Sequence, residues 1–488
     1  MSSRTEPQLG NWRWERAALV VLTALALVVR LPGLDGGLWV DEIFSIVEAF
    51  RSPFPQSLTE FPYDHKHPLY SVLAHASIVM FGEHAWSVRL PAVLFGVACV
   101  PMLYVLGTRI TGRSEAFAAS ALIALSYHHI WFSQNARGYT MLAFWTIVGT
   151  VLLIDAIRGN ARLWAAYGAV LGLGVYTHLT FIFIAAGQLL AVCIAVFRSA
   201  KTNEPQSWRG PFISFSVGAV FAFLLYAPML GPLLEFFLKS ESNLRGVSTP
   251  GWALSEGVRV LRLGFGVVGP VGVIAGLAAG AIGVAGIASL ARRQPAVAML
   301  LVLPAMTMFM GALVARGTMY PRFFFALIGT AIVIWMHGAF VAAGWIARRL
   351  GMSAGAGRRV GVATAGLVVA ASAASIPLNW RAPKQDFAGA LRFAESSVSG
   401  NEVIATADVT SLIYGPFFRR SWPSVRSAVH LDSLRAKSPV WLLYTFPRYL
   451  AVFDAGLAET VARECKSAAR FRGTVGDGDV IVCKLGST

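Results

Sequence analysis

Asp41 and Glu42 stand side by side in the stretch WVDEIFSIVEAF, residues 39–50, just after a long apolar run. Neighbouring carboxylates suit two tasks. One acid can take a proton from a hydroxyl or amine as a general base. Hard oxygen donors can also hold Mg²⁺ or Mn²⁺, with Asp41 and Glu42 as candidate ligands, although two adjacent acids are an incomplete set. A second group of residues suits an anion. Lys66, Arg89, Arg137 and Arg322 carry charge, and His65, His67, Gln134, Tyr139, His178 and Tyr320 supply hydrogen-bonding groups around them. Arginine meets a phosphate through paired, charge-assisted hydrogen bonds. Singly, each residue has a plainer reading. A lone acid beside a helix is commonly a solvated loop residue. His178 also reads as the punctuation of a helical hairpin, Arg30 and Arg89 as side chains that snorkel to an interface, and Tyr139 as part of an aromatic belt.

The elements that carry these residues are apolar. Of 488 residues, 56% are hydrophobic and only 14% are charged, against about 25% charged in a soluble protein. The apolar residues gather in blocks such as residues 17–29, 163–176 and 361–374. A bilayer core of ~30 Å needs roughly 20 such residues per helix, so the chain reads as a multi-pass membrane protein. The first block precedes a long polytopic body, so it reads as a span and not as a removable signal. The net charge is +16, but the basic residues form no patch interleaved with aromatics, which argues against nucleic acid as a partner. They sit in short clusters between apolar blocks, as the positive-inside rule requires.

Placing those clusters on the cytoplasmic side fixes the parity of crossings. Spans are expected at 17–34, 90–108, 115–131, 139–157, 163–178, 179–197, 211–230, 266–290, 295–314, 323–346 and 360–377, about eleven in all. The stretch PLYSVLAHASIVMFG, residues 68–82, is short and holds His75; it reads as a helix lying at the outer interface. The N-terminus is then inside, and Asp41 and Glu42 open a large outer loop, residues 35–89. Asp64 and all the candidate residues named above fall at or just beyond the outer ends of the helices.

Residues 1–377 form the expected membrane domain and 378–488 a polar tail. NEVIATAD and PVWLLYT read as strands, and DFAGALRFAESS and YLAVFDAGLAETVAREC as helices, which predicts a small α/β domain. Cys99 and Cys193 lie in apolar segments as buried thiols, whereas Cys465 and Cys483 are free to pair if the tail is in an oxidising compartment.

Acids and bases gathered at one outer interface suit the transfer of a group from a phosphate carrier. A sugar on a lipid phosphate reaches this depth from the bilayer, and no soluble nucleotide donor is needed. Consistently, the chain contains no G-x-x-x-x-G-K-[ST], H-E-x-x-H or C-x-x-C motif. The main rival is a transporter or flippase of a lipid-linked or small anionic substrate, which favours half-repeats and ionisable residues at mid-membrane. A non-catalytic assembly factor is a third reading.

In order along the chain, WVDEIFSI, KHPLYSVL, VRLPAVLFGV, WFSQNARGYTML, GVYTHLTF and MYPRFFFALIG resemble the protein O-mannosyltransferase and aminoarabinose transferase superfamily over roughly residues 10–345. The resemblance implies the GT-C fold, with interfacial helices in the first outer loop. It also implies inverting transfer of a monosaccharide from a polyprenyl-phosphate carrier to a lipid, glycan or protein acceptor on the extracytoplasmic face of the inner membrane. By the same resemblance Asp41 is the general base, Glu42 orients the acceptor or binds a cation, and Lys66, Arg137 and Arg322 contact the donor phosphate. His65, His67 and Asn135 depart from the family pattern.

Overall fold

The computed structural model describes residues 9–61, 66–199, 207–239, 270–314, 321–475 and 478–486. It is mostly helical, and its contacts divide it into two compact units. The first unit takes Met1–Arg30, Leu58–Tyr70 and Pro91–Ile376; the second takes Leu31–Ser57, Ser71–Leu90 and Pro377–Thr488.

The protein is a multi-pass integral membrane protein. Among the described residues, 8 helices are long and apolar enough to cross a bilayer, from Ala85–Ile110 to Gly355–Asn379. Two apolar helices are shorter, Pro68–Phe81 and Leu163–Thr177. In the first unit the Arg209–Tyr226 helix packs on Leu163–Thr177, Phe181–Ser199 packs on Pro295–Val314, and Ile328–Arg349 packs on Pro270–Arg293. Close approach in the last pair depends on Gly286 and Gly338. A Cβ on either would collide with the facing helix backbone at Ile334 or Ile282, as is usual where helices meet through small residues in lipid.

The stretch expected as a span at 115–131 is two helices, Arg113–Ala124 and Tyr127–Ser133. Ser126 restarts the chain by accepting the His129 N–H at 3.3 Å, a side-chain N-cap. Arg30 then takes up the Ala124 carbonyl that the break leaves open. It donates to Ala124 O at 3.1 Å, Ala26 O at 2.6 Å and Ser133 Oγ at 3.0 Å, and its Nη2 lies 2.8 Å from His129 Nδ1. Arg30 is 0% exposed. It does not snorkel, because these partners replace its hydration inside the protein.

In the second unit, a five-stranded sheet of order β2-β1-β3-β5-β4 comprises β1 (Val403–Ala407), β2 (Ser424–Val425), β3 (Val440–Tyr444), β4 (Lys466–Phe471) and β5 (Val480–Leu485). β1 runs parallel to β2 and β3, and β5 is antiparallel to β3 and β4. β3, VWLLY, is buried throughout, as an apolar run covered on both faces should be. Helix Phe387–Ser397 matches the sequence reading, but the helix expected over 449–465 is broken into Pro447–Phe453 and Ala455–Glu464. Asp454 causes the break, since its carboxylate accepts the Leu457 N–H at 2.6 Å and caps the second helix. Cys465 and Cys483 form a disulfide.

Candidate functional site

The helix bearing the two acids is Val40–Ser45, and the chain continues into a π-helical turn, Ile46–Phe50. Acids in the first turn favour such a helix, because exposed N–H groups there carry positive charge. Glu42 also reaches back to accept the Trp39 N–H at 3.2 Å, the reciprocal half of a capping arrangement. π-Turns inside helices are frequent at functional sites.

Glu42 is 0% exposed and Arg89 is 1% exposed. Arg89 Nε donates to Glu42 Oε1 at 2.8 Å, and Nη2 donates to Oε2 at 2.7 Å. Its remaining N–H groups go to Leu34 O (2.7 Å), Gly36 O (2.9 Å) and Gly37 O (3.1 Å). All the donors of the guanidinium are therefore used. Arg89 was a candidate phosphate ligand and a candidate snorkelling residue; it is instead the anchor of Glu42. A third charge joins them, with Lys384 Nζ 3.6 Å from Glu42 Oε1. Burial holds the Lys384 amine well below the ordinary lysine range, opposed by Glu42 and reinforced by Arg89.

A divalent cation does not fit the Asp41–Glu42 pair. Both Glu42 oxygens already accept from Arg89, and a cation there would face the Arg89 guanidinium. Among the described residues, no cluster of three or more His, Cys, Asp or Glu side chains is arranged to hold a metal. Asp41, by contrast, is half-buried. Its backbone carbonyl accepts the Ser45 hydroxyl at 2.8 Å.

The other candidates belong to the first unit. His67, Tyr139 and His178 come together there. The His67 ring lies 5.3 Å from Tyr139, edge to face, and 4.6 Å from His178. Tyr139 opens its helix, is 7% exposed and packs on Phe132 at 5.2 Å. It is a core contact and not a member of an aromatic belt. His178 Nδ1 lies 2.8 Å from Thr180 Oγ1. Gly138 makes room for the cluster, since a Cβ there would sit 2.8 Å from His67 Nδ1. Gln134 donates to Arg30 O at 2.8 Å, so its amide supports the fold. Arg137 is 2% exposed in the tight turn that precedes Tyr139. Arg322, in the 3₁₀ turn Pro321–Leu327, lies over the Phe323 ring at 5.9 Å. Lys66 is 3% exposed and donates to Glu60 O. Burial lowers its amine to about 8, against the pull of Glu60. Asp64, His65 and Tyr320 lie outside the described residues.

Sequence reasoning missed Lys384 and Gln385. Gln385 Oε1 accepts the Val40 N–H at 2.9 Å across a separation of 345 residues. No local pattern announces such a contact.

The chain has the GT-C fold of solved membrane glycosyltransferases. Residues 64–233 match the family model described as dolichyl-phosphate-mannose-protein mannosyltransferase. The crystal structure of ArnT from Cupriavidus metallidurans bound to undecaprenyl phosphate superposes with a TM-score of 0.53 and 15% identity, covering 97% of this chain and 98% of that one. The archaeal oligosaccharyltransferase AglB from Archaeoglobus fulgidus, in complex with an inhibitory peptide and a dolichol-phosphate, gives 0.54 at 14% identity, over 97% and 74%. At such identities the likeness is one of fold. In Bacillus subtilis (strain 168) the chain is similar to two proteins bearing mannosyltransferase names. It is 32% identical to YkcB over 116 residues, 23% of this chain and 16% of that protein. To YycA it is 24% identical over 163 residues, 31% and 23% of the two. These matches therefore span less than a quarter of either relative's length.

Proposed function

We propose that the chain is an inverting membrane glycosyltransferase that moves a monosaccharide from a polyprenyl-phosphate carrier to an acceptor in the cell envelope. The observation that carries the mechanism is the commitment of Glu42 to Arg89 and Lys384. With Glu42 held as an anchor, the base role falls to its neighbour Asp41.

In the proposed reaction the Asp41 carboxylate takes the proton of an acceptor hydroxyl as its oxygen bonds to the anomeric carbon. The bond from that carbon to the phosphate oxygen breaks with its electron pair, and polyprenyl phosphate leaves. Lys66, Arg137 and Arg322 are assigned to the charge that develops on the leaving phosphate, the electrostatic stabilisation that such a step needs. No step is routed through a metal. The family match and the fold of the two lipid-phosphate-bound neighbours support this reading. The chain is assigned to the inner membrane with its N-terminus cytoplasmic and its tail outside, in keeping with the basic clusters and the Cys465–Cys483 pair.

The test is sugar transfer in proteoliposomes supplied with undecaprenyl-phosphate-linked mannose and envelope extract as acceptor. Asp41→Asn is expected to abolish transfer while preserving membrane insertion and solution behaviour. Wild-type turnover by that variant would remove Asp41 from the mechanism. Flux of the lipid-linked sugar without chemistry would favour the flippase reading.

A further inference from the structure

Gln385 is 1% exposed and lies where the tail begins, within the second unit. Its Nε2 donates to Thr445 Oγ1 at 3.1 Å and to Gly478 O at 2.7 Å. Its Oε1 accepts the N–H of Val40, the residue that opens the acid-bearing helix and directly precedes Asp41. First-turn N–H groups have no partner inside their own helix, so Gln385 supplies one from the far end of the chain. Thr445 follows β3, and its hydroxyl donates in turn to Asp479 O at 3.1 Å. The amide therefore ties the helix start to the end of β3 and to the turn before β5.

Two further contacts act on the same short segment. Lys384 reaches Glu42. At the far end, beyond the π-turn, Arg51 lies over the Phe417 ring at 5.2 Å. Helix Val409–Tyr414 also packs against helix Val40–Ser45.

We propose that Gln385 is a positioning residue for Asp41, and that the tail thereby forms part of the machinery that aims the base. This rests on the glycosyl-transfer reading above. A small misplacement of a reacting group costs on the order of 10²-fold in rate, and that is the effect expected from loss of the tie.

The experiment uses the full-length protein in proteoliposomes with undecaprenyl-phosphate-linked mannose, combined with hydrogen exchange. In Gln385→Leu, kcat is expected to fall about 10²-fold with the donor KM within twofold. Exchange is expected to quicken over residues 38–46 while β1 and β3 stay protected. Gln385→Glu keeps an acceptor for the Val40 N–H but gives up the donor to Gly478 O, so it is expected to recover only part of the rate over Leu. It also serves if Gln385→Leu does not fold. Wild-type kcat in Gln385→Leu would overturn the proposal, as would exchange that quickens throughout the sheet, or no recovery in Gln385→Glu. An active Asp41→Asn run alongside would instead remove Asp41 as the base and this positioning role with it, and absence of sugar transfer by the wild type would sink the glycosyl-transfer reading, while the exchange result on residues 38–46 would still decide whether the tie holds the helix.

Discussion

Replacing Arg89 by Met tests the anchor on which the assignment of the base depends. The substitution removes both hydrogen bonds to Glu42 and leaves the carboxylate 0% exposed. Removing one partner of a buried ion pair costs about 3–5 kcal/mol. The carbonyls of Leu34, Gly36 and Gly37 lose their donor as well. Against this, Lys384 remains 3.6 Å from Glu42 Oε1 and partly offsets the stranded charge. The net loss for this loop is then expected near the lower end, about 3 kcal/mol. In the double variant Glu42→Met with Arg89→Met no carboxylate is stranded, and about 2 kcal/mol should return, less than the whole because the three carbonyls still lack the Arg89 donor. The assay is a double-mutant cycle on local opening, read by hydrogen exchange over residues 34–46 in purified full-length protein. One decade in exchange rate corresponds to about 1.4 kcal/mol, so Arg89→Met should accelerate exchange by about two decades. Wild-type protection in Arg89→Met, or a double variant no better protected than the single, would refute the argument that this pair holds the helix.

Two other outcomes follow from single observations. Lys66 binds phosphate only when charged, and its amine is lowered to about 8; kcat/KM should therefore fall as pH rises through about 8, and Lys66→Arg should move that limb to higher pH, whereas an unmoved limb would clear Lys66 of the role. Replacing Cys465 and Cys483 by Ser opens a bridge between residues 18 apart, which by loop entropy costs about 3 kcal/mol; proteolysis of the tail should speed accordingly, and an unchanged rate would show that the bridge adds nothing.

Helix Phe387–Ser397 and strands β1 and β3 were readable because period and composition are local properties. The breaks at Ser126 and Asp454 were harder to see. In each case a single side-chain cap outweighs a continuous apolar or amphipathic pattern. β4 and β5 went unread for a different reason: β4 is the polar KSAARF, and β5 is defined by its pairing with β3 and β4. In the candidate site, residue type suggested that Glu42, Arg89 and Gln134 handle substrate. All three are instead committed to the protein itself.

The sequence by itself determined that this chain lives in a bilayer, because hydrophobicity summed over a span exceeds any local exception. The order of its motifs also pointed to the chemistry of a lipid-borne sugar and to the WVDEIF segment as the place where an acid would act. Only the tertiary structure showed what holds Glu42. Arg89 and Lys384 claim Glu42 from 47 residues away and from the tail, and Gln385 holds the helix start across 345. Hydrogen bonds and buried charges depend on distances of about 3 Å, and separation along the chain says nothing about which groups come that close.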